Sequence, residues 1–327
     1  MKIAIVGCGA LGSYYGARLC LAGHETHFLL RSDFDVVARQ GIRVESDQPG
    51  ETFSARPVAA RTPEAIGPVD LVVVGLKTTA NARLRDWIPP LVTVNTAVLT
   101  LQNGLGNEEL LAEIVRPEQV MGGLCFVSLN RVAPGVIRHI NGARILMGEF
   151  QRPPSERTQC IAAALRGAGI PCDLAEDLGL AHWLKLVWNI AFNGLGVASA
   201  AGYEAAVSGV VDPARPLQPC RTTDLLLAEP AWRDLVREVM LEVMDGARQL
   251  GFSIDPGYAK VEMDRTRSMG VYRASTLVDF DRGLPLELES LFFEPLRQAT
   301  RVGAILPRIQ AMCRVLQDLD ARRLHQG

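Results

Sequence analysis

A short apolar run, Ile3 to Val6, breaks at once into Gly7-Cys8-Gly9-Ala10-Leu11-Gly12, and a helical stretch follows through Ala22. Few folds accept three glycines at this spacing between a strand and a helix. The first permits a tight turn, the second lets backbone approach a ligand, and the third lets helix and strand pack closely. The start of the helix then presents unbonded N–H groups suited to phosphate oxygens. Without its flanks the pattern is weak evidence. Here it opens the first strand–helix–strand unit, so Gly7, Cys8, Gly9, Ala10, Leu11 and Gly12 are expected to cradle a dinucleotide pyrophosphate.

The rest of the first half alternates β-rich and helical runs, as a parallel sheet covered by helices requires. Strands are expected at Lys2–Val6, Glu25–Leu30, Val69–Val74 and Ala97–Leu101, apolar enough to be buried on both faces. Segments 121–127, 135–140 and 143–147 are expected to add antiparallel strands, followed by a helix at 155–167 and a short strand at 170–174. Beyond about residue 176 the β signal fades. Helices are expected at 177–197, 223–251, 256–267 and 285–301, with an irregular Pro- and Gly-containing excursion at 203–219. The expected fold is α/β: an N-terminal Rossmann-type doubly wound parallel sheet (residues 1–175) followed by an all-α C-terminal domain (176–327).

A chain of 327 residues is long enough for two such domains. Its 34 basic and 36 acidic residues leave a formal charge of −2, which offers no general attraction to nucleic acid or an acidic membrane. No apolar run approaches membrane-spanning length. Met1-Lys2 runs directly into the first strand, so no cleavable signal is expected. Seven scattered cysteines point to reduced thiols and a cytoplasmic location. They form no zinc pattern with the five histidines, and Cys20, His24 and His27 read as packing and turn residues, so no metal is expected. Whether the chain forms a homodimer is not written in its sequence.

The end of the second strand discriminates between dinucleotides. NAD sites place a carboxylate there for the ribose hydroxyls, and NADP sites place a cation. This strand ends Leu29-Leu30-Arg31-Ser32, with no carboxylate before Asp33. Arg31 suits a 2′-phosphate and Ser32 offers a further hydrogen bond, so the cofactor expected is NADPH/NADP+. Lys77 and Asn103 follow later strands, at the strand ends where open α/β sheets bind ligands.

In the second half, Lys185, Asn189 and Asn193 recur every fourth residue within the otherwise apolar stretch from Trp183 to Asn193. A polar stripe on a buried helix must be internally paired or line a cleft. A desolvated lysine in a cleft can protonate a carbonyl oxygen as hydride reaches the carbon, and its charge stabilises the developing alkoxide. The asparagines would orient substrate. Ser275, Glu287 and Glu289 form a second polar group; by itself Glu287 reads as a charge at a helix start.

Together these residues resemble the ketopantoate reductase family over nearly the whole chain. The resemblance rests on GCGALG, on LLR after the second strand, on Leu76-Lys77, on QNG at 102–104, on the WLKLVWNIAFN block and on GLPLELE. It implies an NADP-dependent oxidoreductase acting on a CH–OH donor, with a small 2-oxo acid, ketopantoate, as substrate. Lys185 would be the general acid and Glu287 its catalytic partner. Asn189, Asn193 and Ser275 would hold substrate, and Asn103 would stand at the junction of cofactor and substrate. The chain departs from the family pattern at Leu286, at Phe292-Phe293 and at Pro295, which is expected to kink its helix. A reductase of another 2-oxo or β-oxo acid therefore stays open at this stage. So does a non-catalytic NADPH-binding sensor, although the polar groups it would have lost are present.

Overall fold

Strand β1 (Lys2–Val6) is buried on both faces: Ile3 and Ile5 enter one apolar core, Ala4 and Val6 the other. It lies inside a ten-stranded sheet with β2 (Glu25–Leu29), β3 (Ile42–Ser46), β4 (Phe53–Ala55), β5 (Val58–Ala60), β6 (Leu71–Val74), β7 (Ala97–Thr100), β8 (Val120–Ala133), β9 (Val136–Glu149) and β10 (Cys172–Leu174). The order is β4-β3-β9-β8-β7-β6-β1-β2-β5, with β10 paired to β9. Strands β5, β2, β1, β6, β7 and β8 are parallel neighbours. The chain leaves β1 toward β2 on one side and returns to β6 on the other. That reversal opens a crevice at the C-terminal ends of β1 and β6, where such sheets bind ligands.

The computed structural model describes residues 1–324, which divide into two compact units, Met1–Leu178 and Gly179 onward. In the first unit, β8 and β9 form one long antiparallel hairpin rather than three short strands. The register shift at Val127 leaves Ala143 unpaired beside Gly142, a bulge that lets β9 run on through the Asn141-Gly142 turn signal. Strands β3, β4 and β5 add to those expected from sequence. They are only three to five residues long, and their hydrogen bonds to neighbours, more than their composition, make them strands.

Among the described residues the second unit holds helices and no strand. Helix Pro230–Gln249 packs against four others, burying Val236, Val239, Met240, Val243 and Ala247 along one stripe. The single helix expected over 223–251 is broken at Glu229, which is extended (φ −87°, ψ 123°) because the Pro230 ring disfavours helical backbone before it. Helices Ser275–Asp281 and Pro307–Leu324 add to those expected, and the stretch expected to be irregular over 203–219 opens with a short helix, Tyr203–Ser208, that ends at left-handed Gly209. Helix Pro307–Leu324 is capped from outside: the Glu242 carboxylate accepts the N–H groups of Arg308 (2.9 Å) and Ile309 (3.0 Å). Burial pushes the Glu242 carboxyl above its usual range even against those donors.

Candidate active site

The three glycines of the first loop differ in what surrounds them. Gly7 has φ +101°, and a Cβ there would overlap the backbone of Leu76 after β6. A Cβ on Gly12 would overlap the carbonyl of Gly7. Gly9 instead faces open space, with no heavy atom within 4 Å of where its Cβ would stand. The fold therefore demands the outer two, whereas the middle one leaves a vacant approach to backbone. Helix Ala10–Leu21 starts at Gly9 with no capping side chain and no acid in its first turn. Its N–H groups and dipole suit a pyrophosphate. Burial, then the nearby Asp33 carboxylate, pushes the Cys8 thiol well above its usual value, so the loop carries no thiolate to repel phosphate.

After β2, Arg31 is exposed and has no ion-pair partner among the described residues. Asp33, the first carboxylate beyond the strand, is already engaged. It accepts Arg131 Nε at 2.9 Å and the Gly135 N–H at 3.2 Å, and the Ser32 hydroxyl donates to it at 2.9 Å. Burial alone would raise the Asp33 carboxyl, but these donors outweigh it and hold the group below its usual range. A carboxylate tied this way is poorly placed to receive ribose hydroxyls. The residues present thus fit a 2′-phosphorylated dinucleotide, with Arg31 as its cation; Ser32 is turned to Asp33.

Lys77, exposed and extended, follows β6, and Asn103, half-buried, follows β7. Both stand at C-terminal strand ends in the same half of the sheet. The Asn103 carbonyl accepts Asn107 Nδ2 at 3.1 Å. Asn107 and its neighbours Asn81 and Gln102 were absent from the expected site. Gln102 lies inside the QNG signal, but nothing in the sequence marks Asn81.

In the second unit, Lys185 and Asn189 are one turn apart on helix Leu178–Asn189 and share a face. Lys185 is half-buried; Asn189 is 8% exposed, yet its side-chain amide has no hydrogen-bond partner among the described residues. It is not among the described buried side-chain polar atoms left without a partner, which are His27 Nδ1 and Arg157 Nε, so the amide reaches open space. Beyond Asn189 the helix widens into a π-turn, Ile190–Gly194, and the i+4 spacing no longer keeps residues in one stripe. Asn193 (2% exposed) turns to the start of helix Ser275–Asp281. Its Oδ1 accepts the Thr276 N–H at 2.9 Å and the Ser275 hydroxyl at 3.2 Å. The expected three-residue stripe is thus two residues plus a cap for the helix that carries Ser275.

A second π-turn, Glu289–Phe293, follows Glu287, which is half-buried and whose carbonyl accepts the Leu291 N–H at 3.3 Å. Pro295 has no N–H to give a helical carbonyl, and the widened turn before it accommodates that loss. The two π-turns pack together through Gly194, where a Cβ would collide with Met312 and crowd Phe292. Phe292 is fully buried and Leu286 nearly so. These departures from the family pattern serve the core of the helical unit.

Residues 3–152 match the model of ketopantoate reductase PanE/ApbA, and residues 177–320 match the model of its C-terminal part. A 2-dehydropantoate 2-reductase from Nostoc is 40% identical, across 98% of this chain and 96% of the relative. The crystal structure of a 2-dehydropantoate 2-reductase from Geobacter metallireducens is 41% identical with a TM-score of 0.87, covering 97% of this chain and 99% of that one. That of the Methylococcus capsulatus enzyme is 29% identical with a TM-score of 0.84, covering 99% and 98%. With its glycine loop and its polar helix falling in turn within the two matched parts, the chain belongs to the ketopantoate reductase family.

Proposed function

We propose that this protein reduces 2-dehydropantoate (ketopantoate) to pantoate with NADPH, a step toward pantothenate and coenzyme A. One observation carries the chemistry: a half-buried lysine stands one helical turn, on the same face, from an asparagine that is 8% exposed and whose amide makes no hydrogen bond to any described residue. Such an amide is free to meet a ligand's polar atom without giving up a bond to the protein. Bound NADPH supplies a hydride to the C2 carbonyl carbon. Lys185 donates a proton to the carbonyl oxygen and stabilises the charge that develops there. Asn189 hydrogen-bonds the same end of the substrate. Ser275, oriented by Asn193, receives the carboxylate, and Glu287 holds the substrate hydroxyl. Residues 1–175 act as the NADP-binding domain, through the glycine loop, Arg31, Lys77 and Asn103, and residues 176–327 as the substrate domain. The seven cysteines, none in a disulfide, and the lack of any described helix long and apolar enough to cross a membrane support a cytoplasmic setting.

The test is NADPH oxidation by the purified protein over a panel of 2-oxo acids that includes ketopantoate. Turnover with ketopantoate well above that with other acids is expected. Preference for a bulkier apolar acid would remove the named substrate, and NADPH binding without turnover on any acid would remove the enzyme.

A further inference from the structure

Three side-chain amide contacts join the loops that follow β6 and β7, and a fourth braces the second loop. Gln102 Nε2 donates to the Leu76 carbonyl (3.1 Å) and to Asn81 Oδ1 (2.7 Å). Asn81 Nδ2 donates to Asn107 Oδ1 (3.1 Å), and Asn107 Nδ2 donates to the Asn103 carbonyl (3.1 Å). The Thr100 hydroxyl, on β7 itself, donates to Gln102 Oε1 (3.0 Å) and anchors the chain of amides to the sheet. Gln102 is 5% and Asn107 1% exposed, so breaking any link strands a buried polar group. The two carbonyls held, Leu76 and Asn103, belong to the residue before Lys77 and to Asn103 itself.

The strand order says which part of a dinucleotide these loops serve. The pyrophosphate belongs at the loop after β1, and the adenosine side belongs at Arg31 after β2. β6 and β7 lie on the opposite side of β1 from β2. Loops there meet the nicotinamide half.

We propose that the Gln102–Asn81–Asn107 amides clamp the two loops serving the nicotinamide half of the cofactor, which makes Asn81 and Gln102 positioning residues for NADPH. This rests on reading the glycine loop as a dinucleotide site. Loops held in one conformation before binding lose less freedom on binding, so the clamp acts on affinity. It touches no reacting atom, and it is blind to the adenosine half.

The experiment compares two ligands by isothermal titration of the full chain: NADPH, and adenosine 2′,5′-bisphosphate, which lacks the nicotinamide half. Asn81→Ala is expected to raise the Kd for NADPH about tenfold, equivalent to about 1.4 kcal/mol, and to leave the bisphosphate nearly unchanged. Gln102→Met cuts the clamp from the other loop and should give the same split, and the double variant should lose less than the sum, because both changes break one linkage. Equal weakening of both ligands would overturn the clamp in favour of general loosening. So would an unchanged NADPH Kd in a variant that melts like the unaltered protein. If the unaltered protein bound neither ligand, the dinucleotide reading would fail first and take the clamp with it. Binding of the bisphosphate with loss of NADPH affinity confined to the variants supports both.

Discussion

In the glycine loop the ligand-facing surface is backbone, whereas in the helical unit the candidate groups are side chains on helices whose phase changes midway. Gly9 matters for the atoms it lacks, with open space where its Cβ would be. Asn189 matters for a side-chain amide that makes no hydrogen bond to any described residue. A site made of missing atoms tolerates no addition, while a side-chain site tolerates none that shifts a helix by one residue. The two therefore fail differently when altered.

The largest effect is expected at Lys185. Lys185→Ala should lower turnover by about 10²–10⁴-fold, the usual worth of a positioned general acid, while NADPH still binds. A variant that keeps most of its turnover number would remove Lys185 from the chemistry. Next comes Arg31→Asp, which deletes a charged hydrogen bond to the 2′-phosphate and should raise the NADPH Michaelis constant by roughly 10- to 100-fold, narrowing the gap to NADH. Equal use of the two cofactors by the unaltered protein would contradict that assignment.

A pair of glycine substitutions sharpens the contrast within the loop. Gly12→Ala drives a methyl into the Gly7 carbonyl and should cost about 1–3 kcal/mol of stability. Gly9→Ala meets no protein atom and should melt like the unaltered protein while binding NADPH more weakly. Thermal melts beside NADPH titrations decide it; matched losses of stability in both variants would deny that Gly9 faces a ligand.

The smallest effect is in the response to acid, where the two units carry carboxylates of opposite behaviour. Glu149, fully buried at the end of β9, accepts the hydroxyls of Ser155 (2.7 Å) and Thr158 (2.5 Å) and the guanidinium groups of Arg152 and Arg157. Burial alone would raise its carboxyl, but those donors hold it below the usual range. Its stabilisation is present above the ordinary carboxylate range, about pH 4, and is lost as pH falls through the depressed value. Glu242 is raised, so its contribution is complete below that range and is lost as pH rises through the raised value. Melting temperature against pH should therefore flatten on the acid side in Glu149→Gln and on the neutral side in Glu242→Gln. Identical slopes in both variants would refute the assignment.

The parallel strands at 2–6 and 71–74 and the glycine loop were legible in the sequence because their constraints are local. Glycine at 7 and 12 answers to contacts a few residues away or to a strand that must pass close, and a run such as Ile3–Val6 is apolar on both faces because both are covered. Arg31 was legible by position, as the residue just past a strand end. The three-residue strands β4 and β5 were not, since so short a run has no periodicity and becomes a strand only when a neighbour supplies its hydrogen bonds. The amides of Asn81 and Asn107 were equally silent, because their meaning lies in one another across 26 residues of chain. The same holds for Asn193: an ideal helix puts it in line with Lys185, and a π-turn packed at Gly194 against a second one turns it to cap the Ser275 helix. Sequence alone determines what a residue can offer and its local phase. Tertiary packing decides whether that phase survives, because one widened turn costs little once two buried helices fit better with it than without.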